Sequence, residues 1–177
     1  MSCDYFLKVD GIEGESTDSA HKNEIEIYSF RWSEKQQATF QRGSGGGATG
    51  GKVQMNNFIF TMPTSKASPK LMLSCAKGDH IKSAILTCRK AGGGQQEFYK
   101  ITLTDVLVST YETTSTNGEG VSAGEGEPIG FTHDGAPVDR IEFAFAKIEC
   151  EYRPQKGDGA LDSPVKTGYN IAENKVV

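Results

Sequence analysis

The residues of this chain that could do chemistry are histidines, cysteines and a glycine-rich loop. His21 and Glu24 are three residues apart, a spacing that suits a metal-binding or an acid–base pair. His80 and His133 lie in predicted loops without a second ligand near them in sequence, whereas a metal site needs several converging ligands. His21 is alternatively a polar residue that fixes the approach to a strand at Glu24. We therefore predict no metal site and no cofactor.

Cysteine chemistry has one local candidate. A cysteine nucleophile needs a neighbouring base, and Cys75 with His80 is the only such pair close in sequence. These two residues straddle the predicted end of a helix, which favours a structural role. Cys3, Cys88 and Cys150 show no close pairing or metal spacing, so we expect reduced thiols packed as small hydrophobic residues in a cytoplasm. No catalytic residue is predicted, and we expect that the protein is not an enzyme.

The glycine-rich loop at residues 43–52 nearly matches a phosphate-binding loop, but its context does not fit. Val53 stands where a hydroxyl group should hold magnesium. The segment that follows alternates like a strand instead of opening a helix whose dipole would face the anion. The loop is then either a flexible hairpin connection or an arm that becomes ordered against a neighbouring subunit. We favour the assembly arm, formed by Gly43, Ser44, Gly45, Gly46, Gly47, Gly50 and Gly51.

Four predicted strands change their apolar face midway, at residues 24–32, 52–62, 98–110 and 140–152. Side chains alternate with a period of two along a strand, so a slip of one residue moves the apolar set to the opposite face. The four slips predict long strands that bend between sheets, as in a barrel with orthogonal packing, with bulges or sharp bends near Asn56–Asn57 and Ala144–Ala146. Alternatively, each strand is two short ones, or the outer apolar halves cover a partner.

Length and charge exclude several classes of protein. The 177 residues suit a single domain that spans 1–177. The net charge of -4 gives no electrostatic footprint for nucleic acid. No apolar run approaches the roughly 20 residues of a membrane span. The N-terminus lacks the basic and apolar regions of a secretory signal. We therefore expect no nucleic acid, no membrane insertion and no cleaved signal peptide.

Local signals predict one helix and one long loop. Ser68 and Pro69 form a favourable N-cap and first-turn pair, and Gly78 suits the position after the helix, so residues 69–77 are predicted to be helical. Residues 112–138 are rich in Gly, Thr, Ser and Glu. A loop of that length is unusual in a compact domain, and we expect it to be the most mobile part of the chain.

Several motifs occur in one consistent order along the chain. They are 10–16 (DGIEGES), 21–25 (HKNEI), 29–32 (SFRW), 43–52, 68–72 (SPKLM), 86–93 (LTCRKAGG), 152–156 (YRPQK) and 168–171 (GYNI). Together these motifs resemble the haemolysin-coregulated protein (Hcp) family, the tube subunit of type VI secretion systems. The resemblance runs over nearly the whole chain, although the link from residue 110 to 138 looks longer than in typical members.

The resemblance implies a mainly β fold, a β-barrel of long bent antiparallel strands with one short flanking α-helix and an extended Gly-rich loop. It implies a hexameric ring that stacks into a hollow tube, with spike protein, sheath and effectors as partners. Members leave the cytoplasm and are secreted without a cleaved signal peptide. The residues that approximately match the lumen-facing stretch, and would contact cargo, are Thr113, Thr114, Ser115 and Thr116. A small β-barrel binding module of lectin or adhesin type, and an enzyme that uses His21 or Cys75, are the alternatives.

Overall fold

The computed structural model describes residues 3–39, 49–90, 95–115, 136–157 and 159–177. Within these ranges the chain forms eleven strands and one helix. The elements are β1 (Cys3–Val9), β2 (Ile25–Glu26), β3 (Ser29–Arg31), β4 (Glu34–Thr39), β5 (Thr49–Met55), β6 (Phe58–Pro63), α1 (Ser68–Lys77), β7 (His80–Lys90), β8 (Glu97–Thr114), β9 (Val138–Tyr152), β10 (Val165–Asn170) and β11 (Lys175–Val176).

The main sheet is antiparallel and its pairing follows a closed path. β1 pairs with β7, β7 with β8, β8 with β9, and β9 with β6. β6 then pairs with β3, and β2 pairs with β1. Between β2 and β3, the Ile27 N–H donates to the Tyr5 carbonyl at 3.1 Å and the Tyr28 N–H donates to the Thr61 carbonyl at 2.8 Å. The prediction of a mainly β fold with long antiparallel strands is confirmed.

Strand β9 is the point at which the sheet forks. β8 lies along one side of β9 for nearly its full length. On the other side, the first half of β9 pairs with β6, from Val138 to Phe143, and the second half pairs with β10, from Lys147 to Tyr152. β10 and β11 therefore leave the closed path as a sheet extension, which begins beyond Phe58, the first residue of β6.

The first predicted bend is confirmed, because β5 ends at Met55 and β6 begins at Phe58. The two strands also lie in different sheets, since β5 pairs with β4 while β6 pairs with β3 and β9. The segment at residues 24–32 is likewise divided, into β2 and β3. The interpretation of two short strands is therefore right for these two segments.

The second predicted irregularity, at Ala144–Ala146, is a bend and not a bulge. Thr104 pairs with Lys147 and Val106 pairs with Phe145, so the register is the same on both sides of this point. The register shift lies on β8 instead, between Val108 and Thr110. The burial of both strands still changes face here, opposite Asp105, whose φ is 53°. A residue with a left-handed φ bends its strand without adding a residue to the pairing register. The buried faces of β8 and β9 therefore both change at this point.

Helix α1 confirms the predicted helix to within one residue. Gly78 ends it with a left-handed φ of 67°, and its N–H donates to the Ser74 carbonyl at 2.9 Å. Ser68, predicted as the N-cap, instead lies inside the helix, and Ala67 precedes it without a side-chain cap. The Ser68 hydroxyl is committed elsewhere, because it donates to Asp139. Within the described ranges, no helix combines the length and the apolar character that crossing a bilayer requires.

The core lies where β6 and β9 pair. Phe58, Phe60 and Phe143 are fully buried, and the Phe60 and Phe143 rings meet edge to face at 5.0 Å. Leu71 of α1 is also fully buried. The helix therefore shares one core with the two strands.

Candidate assembly surface

The hairpin of β4 and β5 projects from the main sheet. Among the described residues these two strands pair only with each other. Asn56 fixes its base, because its backbone N–H donates to the Ser33 carbonyl at 3.0 Å and its side chain donates to the Ser33 hydroxyl at 2.8 Å. A two-stranded hairpin is marginally stable alone in water, so it gains from pairing or packing with a further surface.

The predicted assembly loop is divided by this hairpin. Gly43, Ser44, Gly45, Gly46 and Gly47 lie outside the described residues. Gly50 and Gly51 are not loop residues, because both belong to β5 and Gly50 pairs with Ala38. No signal in the sequence marks this boundary, since a glycine run favours a loop and the strand forms through backbone pairing.

The extension of β10 and β11 presents a second projecting sheet edge. Val165 is 65% exposed and Val176 is 74% exposed, which is high for apolar strand residues. The ammonium of Lys166 lies 2.6 Å from the Glu151 carboxylate of the neighbouring strand. Lys166, and then Arg153, lower the pKa of Glu151. The extension is thus held to β9 by pairing and charge while its apolar side chains stay accessible.

A groove of about 760 Å³ lies between the hairpin and the sheet extension. Its walls include the apolar or aromatic residues Trp32, Met55, Ile148, Tyr169 and Val176, with Glu34 and Lys52 on the hairpin side. The indole Nε1 of Trp32 is buried and has no hydrogen-bond acceptor in the described part of the chain. Buried donors are nearly always paired in native proteins, so this unpaired indole is an exception.

The predicted lumen residues lie at the end of β8. Thr113 and Thr114 close the strand, Ser115 follows it, and Thr116 is outside the described residues. The loop predicted from residue 112 therefore begins later, after Thr114. The Thr113 hydroxyl donates to Asp139 at 2.7 Å, so it is engaged within its own chain.

Asp139 is a fully buried carboxylate that the sequence did not single out. One oxygen accepts from Thr113 and lies 3.2 Å from the Thr64 hydroxyl, and the other accepts from Ser68 at 2.5 Å. The three hydroxyl groups belong to the end of β8, to the link after β6 and to α1. Asp139 therefore ties the helix to the sheet beside the predicted lumen stretch.

His21 and Glu24 do come together, but as part of a turn. His21 Nδ1 lies 2.9 Å from a Glu24 oxygen, and the buried imidazole ring stacks on Phe6 at 4.2 Å. The backbone N–H of His21 is 3.2 Å from the Asp18 carboxylate that accepts its hydrogen bond. Residues 3–39, 49–90, 95–115, 136–157 and 159–177 contain no group of three side chains placed to hold a metal ion.

The other catalytic candidate, Cys75 with His80, does not form a pair, in line with the structural role that the sequence favoured. His80 lies 2.7 Å from a carboxylate oxygen of Asp105 and is 68% exposed, so its contact is across the strands and not with Cys75. Cys75 is half-buried against the core. His133 lies outside the described residues. Strand pairing between β7 and β8 decides the partner of His80, and sequence distance could not show it.

Arg89 forms a buried charge cluster that the sequence did not suggest. Its guanidinium lies 4.8 Å from the centre of the Phe6 ring, on which His21 also stacks. It donates to Asp18 at 2.7 Å and to Asp4 at 3.3 Å. The hydrogen bond from Arg89, with the one from the Ala20 N–H, lowers the pKa of Asp18 from 3.8 to about 2.

Acid should weaken this cluster in a defined pH range. Because the pKa of Asp18 is lower in the folded chain, its stabilising effect is present above about pH 4 and is lost as the pH falls towards 2. We expect Asp18→Asn to unfold with a smaller loss of stability between pH 4 and 2 than the parent, measured by urea unfolding at each pH. Asp10→Asn, at an exposed position, is the control. Parallel pH profiles for the Asp18 variant and the parent would contradict the assignment.

The cysteines of the described residues form no disulfide, and Cys88 is buried away from solvent. Burial, followed by the nearby Cys3, raises the pKa of the Cys88 thiol to about 12. Burial also raises the pKa of Tyr99, which a hydrogen bond to Cys150 reinforces. These thiols pack between strands and do not have the electropositive, exposed surroundings of a reactive cysteine.

The shielding predicts selective thiol labelling. Because burial holds the pKa of Cys88 far above 8, very little of this thiol is thiolate at pH 8. Iodoacetamide should therefore leave Cys88 unmodified in the folded protein. Cys75, at a half-buried helix position, should react at least about tenfold faster. Peptide mass spectrometry at successive times measures both, and labelling in urea gives the reference for full accessibility. Equal rates at the two cysteines in the folded protein would contradict the burial of Cys88.

Comparison with known proteins decides the family. The profile of the family described as "Type VI secretion system effector, Hcp" matches residues 6–152, which is most of the chain. This chain belongs to the Hcp family. Protein hcp1 of Pseudomonas aeruginosa is 38% identical over 176 residues, with 98% of each chain covered. The resemblance seen in the sequence motifs is confirmed.

Solved Hcp structures share the fold. The crystal structure of Hcp1 from Salmonella typhimurium is 32% identical, covers 100% of each chain and has a TM-score of 0.72. A type six secretion system protein is 26% identical, covers 99% of this chain and 100% of its own, and has a TM-score of 0.83. The Hcp chain described here is thus a structural tube protein of the type VI secretion system.

Proposed function

We propose that this Hcp protein acts as one tube-subunit barrel domain, residues 1–177, which assembles into hexameric rings that stack into the inner tube. The observation that carries the proposal is the pair of projections from the closed sheet. The hairpin of β4 and β5 and the extension of β10 and β11 both have strand edges or apolar side chains without a partner in the described residues. Exposed sheet edges of this kind are normally covered or used for association.

Contacts between rings and contacts within one ring would use different parts of the chain. The hairpin reaches away from the main sheet and carries the glycine residues that permit close approach of two backbones. Gly43, Ser44, Gly45, Gly46, Gly47, Gly50 and Gly51 would form the arm that contacts an adjacent ring. The broader surface of the barrel would then meet its neighbours within the same ring.

The remaining partners follow from the same role. The tube would be capped by a spike protein, enclosed by a sheath and secreted from the cytoplasm without a cleaved signal peptide, carrying effectors in its lumen. Thr114, Ser115 and Thr116 would contact cargo with their hydroxyl groups. Thr113 would contribute its methyl face, since its hydroxyl is bound to Asp139. No catalysis, cofactor, nucleic acid or membrane insertion is part of this role.

Mass in solution tests the ring directly. Light scattering on a sizing column should give a particle near six times the 19.1 kDa of one chain. Negative-stain images of the same fraction should show rings with an open centre. A particle of 19.1 kDa at all concentrations would contradict the ring and would favour the small β-barrel binding module instead.

A further inference from the structure

We propose that Asn57 is a lock that sets the angle between the hairpin of β4 and β5 and the main sheet. The peptide between Asn56 and Asn57 is the hinge on the returning strand, because the two neighbouring side chains bond to different parts of the molecule. The consequence for tube growth rests on the proposed function. The lock itself does not, and it is tested on the folded chain whether or not tubes form.

Asn56 belongs to the hairpin. Its backbone N–H donates to the Ser33 carbonyl at 3.0 Å, and its side chain donates to the Ser33 hydroxyl at 2.8 Å. Ser33 directly precedes β4, which begins at Glu34, so both bonds join one side of the hairpin base to the other. Asn56 therefore turns together with the hairpin when the angle between the hairpin and the main sheet changes.

Asn57 belongs to the main sheet. Its side-chain amide donates to the Ser109 hydroxyl of β8 at 3.1 Å and to a carboxylate oxygen of Glu142, on β9, at 3.2 Å. The backbone pairing of β6 with β9 begins one residue later, at Phe58. The Asn57 side chain thus continues the attachment of β6 by one residue, up to the peptide at which the hairpin begins.

The register shift on β8 supplies one of the two acceptors. Ser109 is the extra residue at this shift, and bulges commonly re-aim a side chain. Its hydroxyl donates to the Glu142 carbonyl at 3.1 Å, which leaves its oxygen to accept from Asn57. Arg140 holds the other carboxylate oxygen of Glu142 at 2.6 Å. Both acceptors are therefore fixed by the main sheet, without any contribution from the hairpin.

The directional bonds of Asn57 add what apolar packing does not provide. Trp32 and Met55 pack against the core beside the hinge, but apolar contact depends little on direction. Hydrogen bonds weaken steeply when they are misaligned, so they define an angle. The groove of about 760 Å³ between the hairpin and the sheet extension leaves room for the hairpin to turn. A hairpin that is already held at one angle has less conformational freedom to lose on association.

An exchange of donor and acceptor tests the lock. Asn57→Asp places a carboxylate against Glu142, and the repulsion should open the hinge. In the double variant N57D/E142Q, the new amide at position 142 can donate to the new carboxylate at position 57 and still accept from Arg140. The bond is then restored with its roles exchanged. A side chain that only fills space at position 57 would show no such rescue.

Trp32 reports the hinge, because it is the single tryptophan of the chain and lines the groove beside the hairpin. We expect the constant for acrylamide quenching of its fluorescence to rise at least about twofold in Asn57→Asp, as local opening exposes the ring. The double variant should return to within about 30% of the parent. All proteins are compared at a concentration at which light scattering gives them the same mass, and thermal melts check that each is folded.

Two further variants guard the result. Ser109→Ala, at an exposed position, removes one acceptor without adding a charge and should give a smaller rise in quenching even if Asn57→Asp does not fold. Gln54→Ala removes an exposed amide from β5 and should behave like the parent. Quenching equal to the parent's in Ser109→Ala and in folded Asn57→Asp would overturn the lock. So would a double variant no better than Asn57→Asp.

Tube growth is measured separately by sedimentation. Asn57→Asp should need at least about a threefold higher concentration for tube growth, because the freed hairpin must be ordered on association, and the double variant should restore it. If quenching responds as expected while tube growth does not change, the lock stands and the role of the hairpin as an assembly arm is overturned. If tube growth changes while quenching does not, the arm stands and the lock is overturned.

Discussion

Replacing Asp139 with alanine is expected to lower the free energy of unfolding by about 3 kcal/mol. Hydrogen bonds to charged groups contribute about 1.5–3 kcal/mol each, and this carboxylate accepts from Thr113 and Ser68 in a fully buried site. Truncation leaves these hydroxyl groups without their acceptor and opens a cavity beside α1. Chemical denaturation of the monomer, followed by circular dichroism, measures the change.

Two variants make the result specific. Asp139→Asn keeps the size of the side chain and one acceptor oxygen, so it should lose about half as much stability. Glu149→Ala removes a carboxylate from the same strand, but its ion pair with Lys147 is exposed and should contribute less than about 1 kcal/mol. Equal losses at Asp139 and Glu149 would show that the buried hydroxyl cluster does not hold α1 to the sheet.

Deleting Gly45–Gly47 is expected to weaken tube growth while the barrel stays folded. The deletion leaves the described hairpin pairs intact, since Thr39 still faces Thr49. Shortening a loop by three residues changes the free energy of loop closure by less than about 1 kcal/mol. The arm would lose reach towards the adjacent ring, so we expect the concentration needed for tube growth to rise at least about tenfold, equivalent to about 1.4 kcal/mol per contact.

Electron microscopy and sedimentation of purified rings measure tube growth, and light scattering checks that the rings themselves persist. A variant with three serines in place of Gly45–Gly47 keeps the length and separates reach from the close approach that glycine permits. If the shortened protein unfolds, the loop is part of the core. If it forms tubes as readily as the parent, the loop is only a connector and the arm interpretation is wrong.

Strand phase shows how far sequence reasoning reached. The face change between Phe143 and Ile148 was visible in the sequence, and both residues are buried as it required. The prediction placed the bend on β9, because the apolar phase of one strand does not say whether that strand or its partner bends. Asp105, with its left-handed φ on β8, carries the turn. Aspartate is enriched in that conformation, but residue type alone does not say which aspartate adopts it.

The polar clusters were missed for a related reason. Asp139, Arg89 and Asp18 look like ordinary charged residues in the sequence, and only the tertiary fold brings their partners within hydrogen-bond distance. The Arg89 partner Asp18 is 71 residues away along the chain. His80 shows that closeness in sequence can also mislead. Cys75 is the nearest cysteine in sequence, whereas the side chain that His80 contacts is Asp105.

The sequence by itself determined the mainly β class, the helix at residues 69–77, the break at Asn56–Asn57 and, through ordered motifs, the Hcp family. These features depend on local periodicity, on capping and turn residues, and on the order of short motifs, which are all written along the chain. The tertiary structure alone decided the closed pairing path, the fork at β9, the buried polar clusters and the groove beside Trp32. Each of these depends on which distant segments meet, and pairing of distant strands is set by the packing of the whole core and not by any one segment.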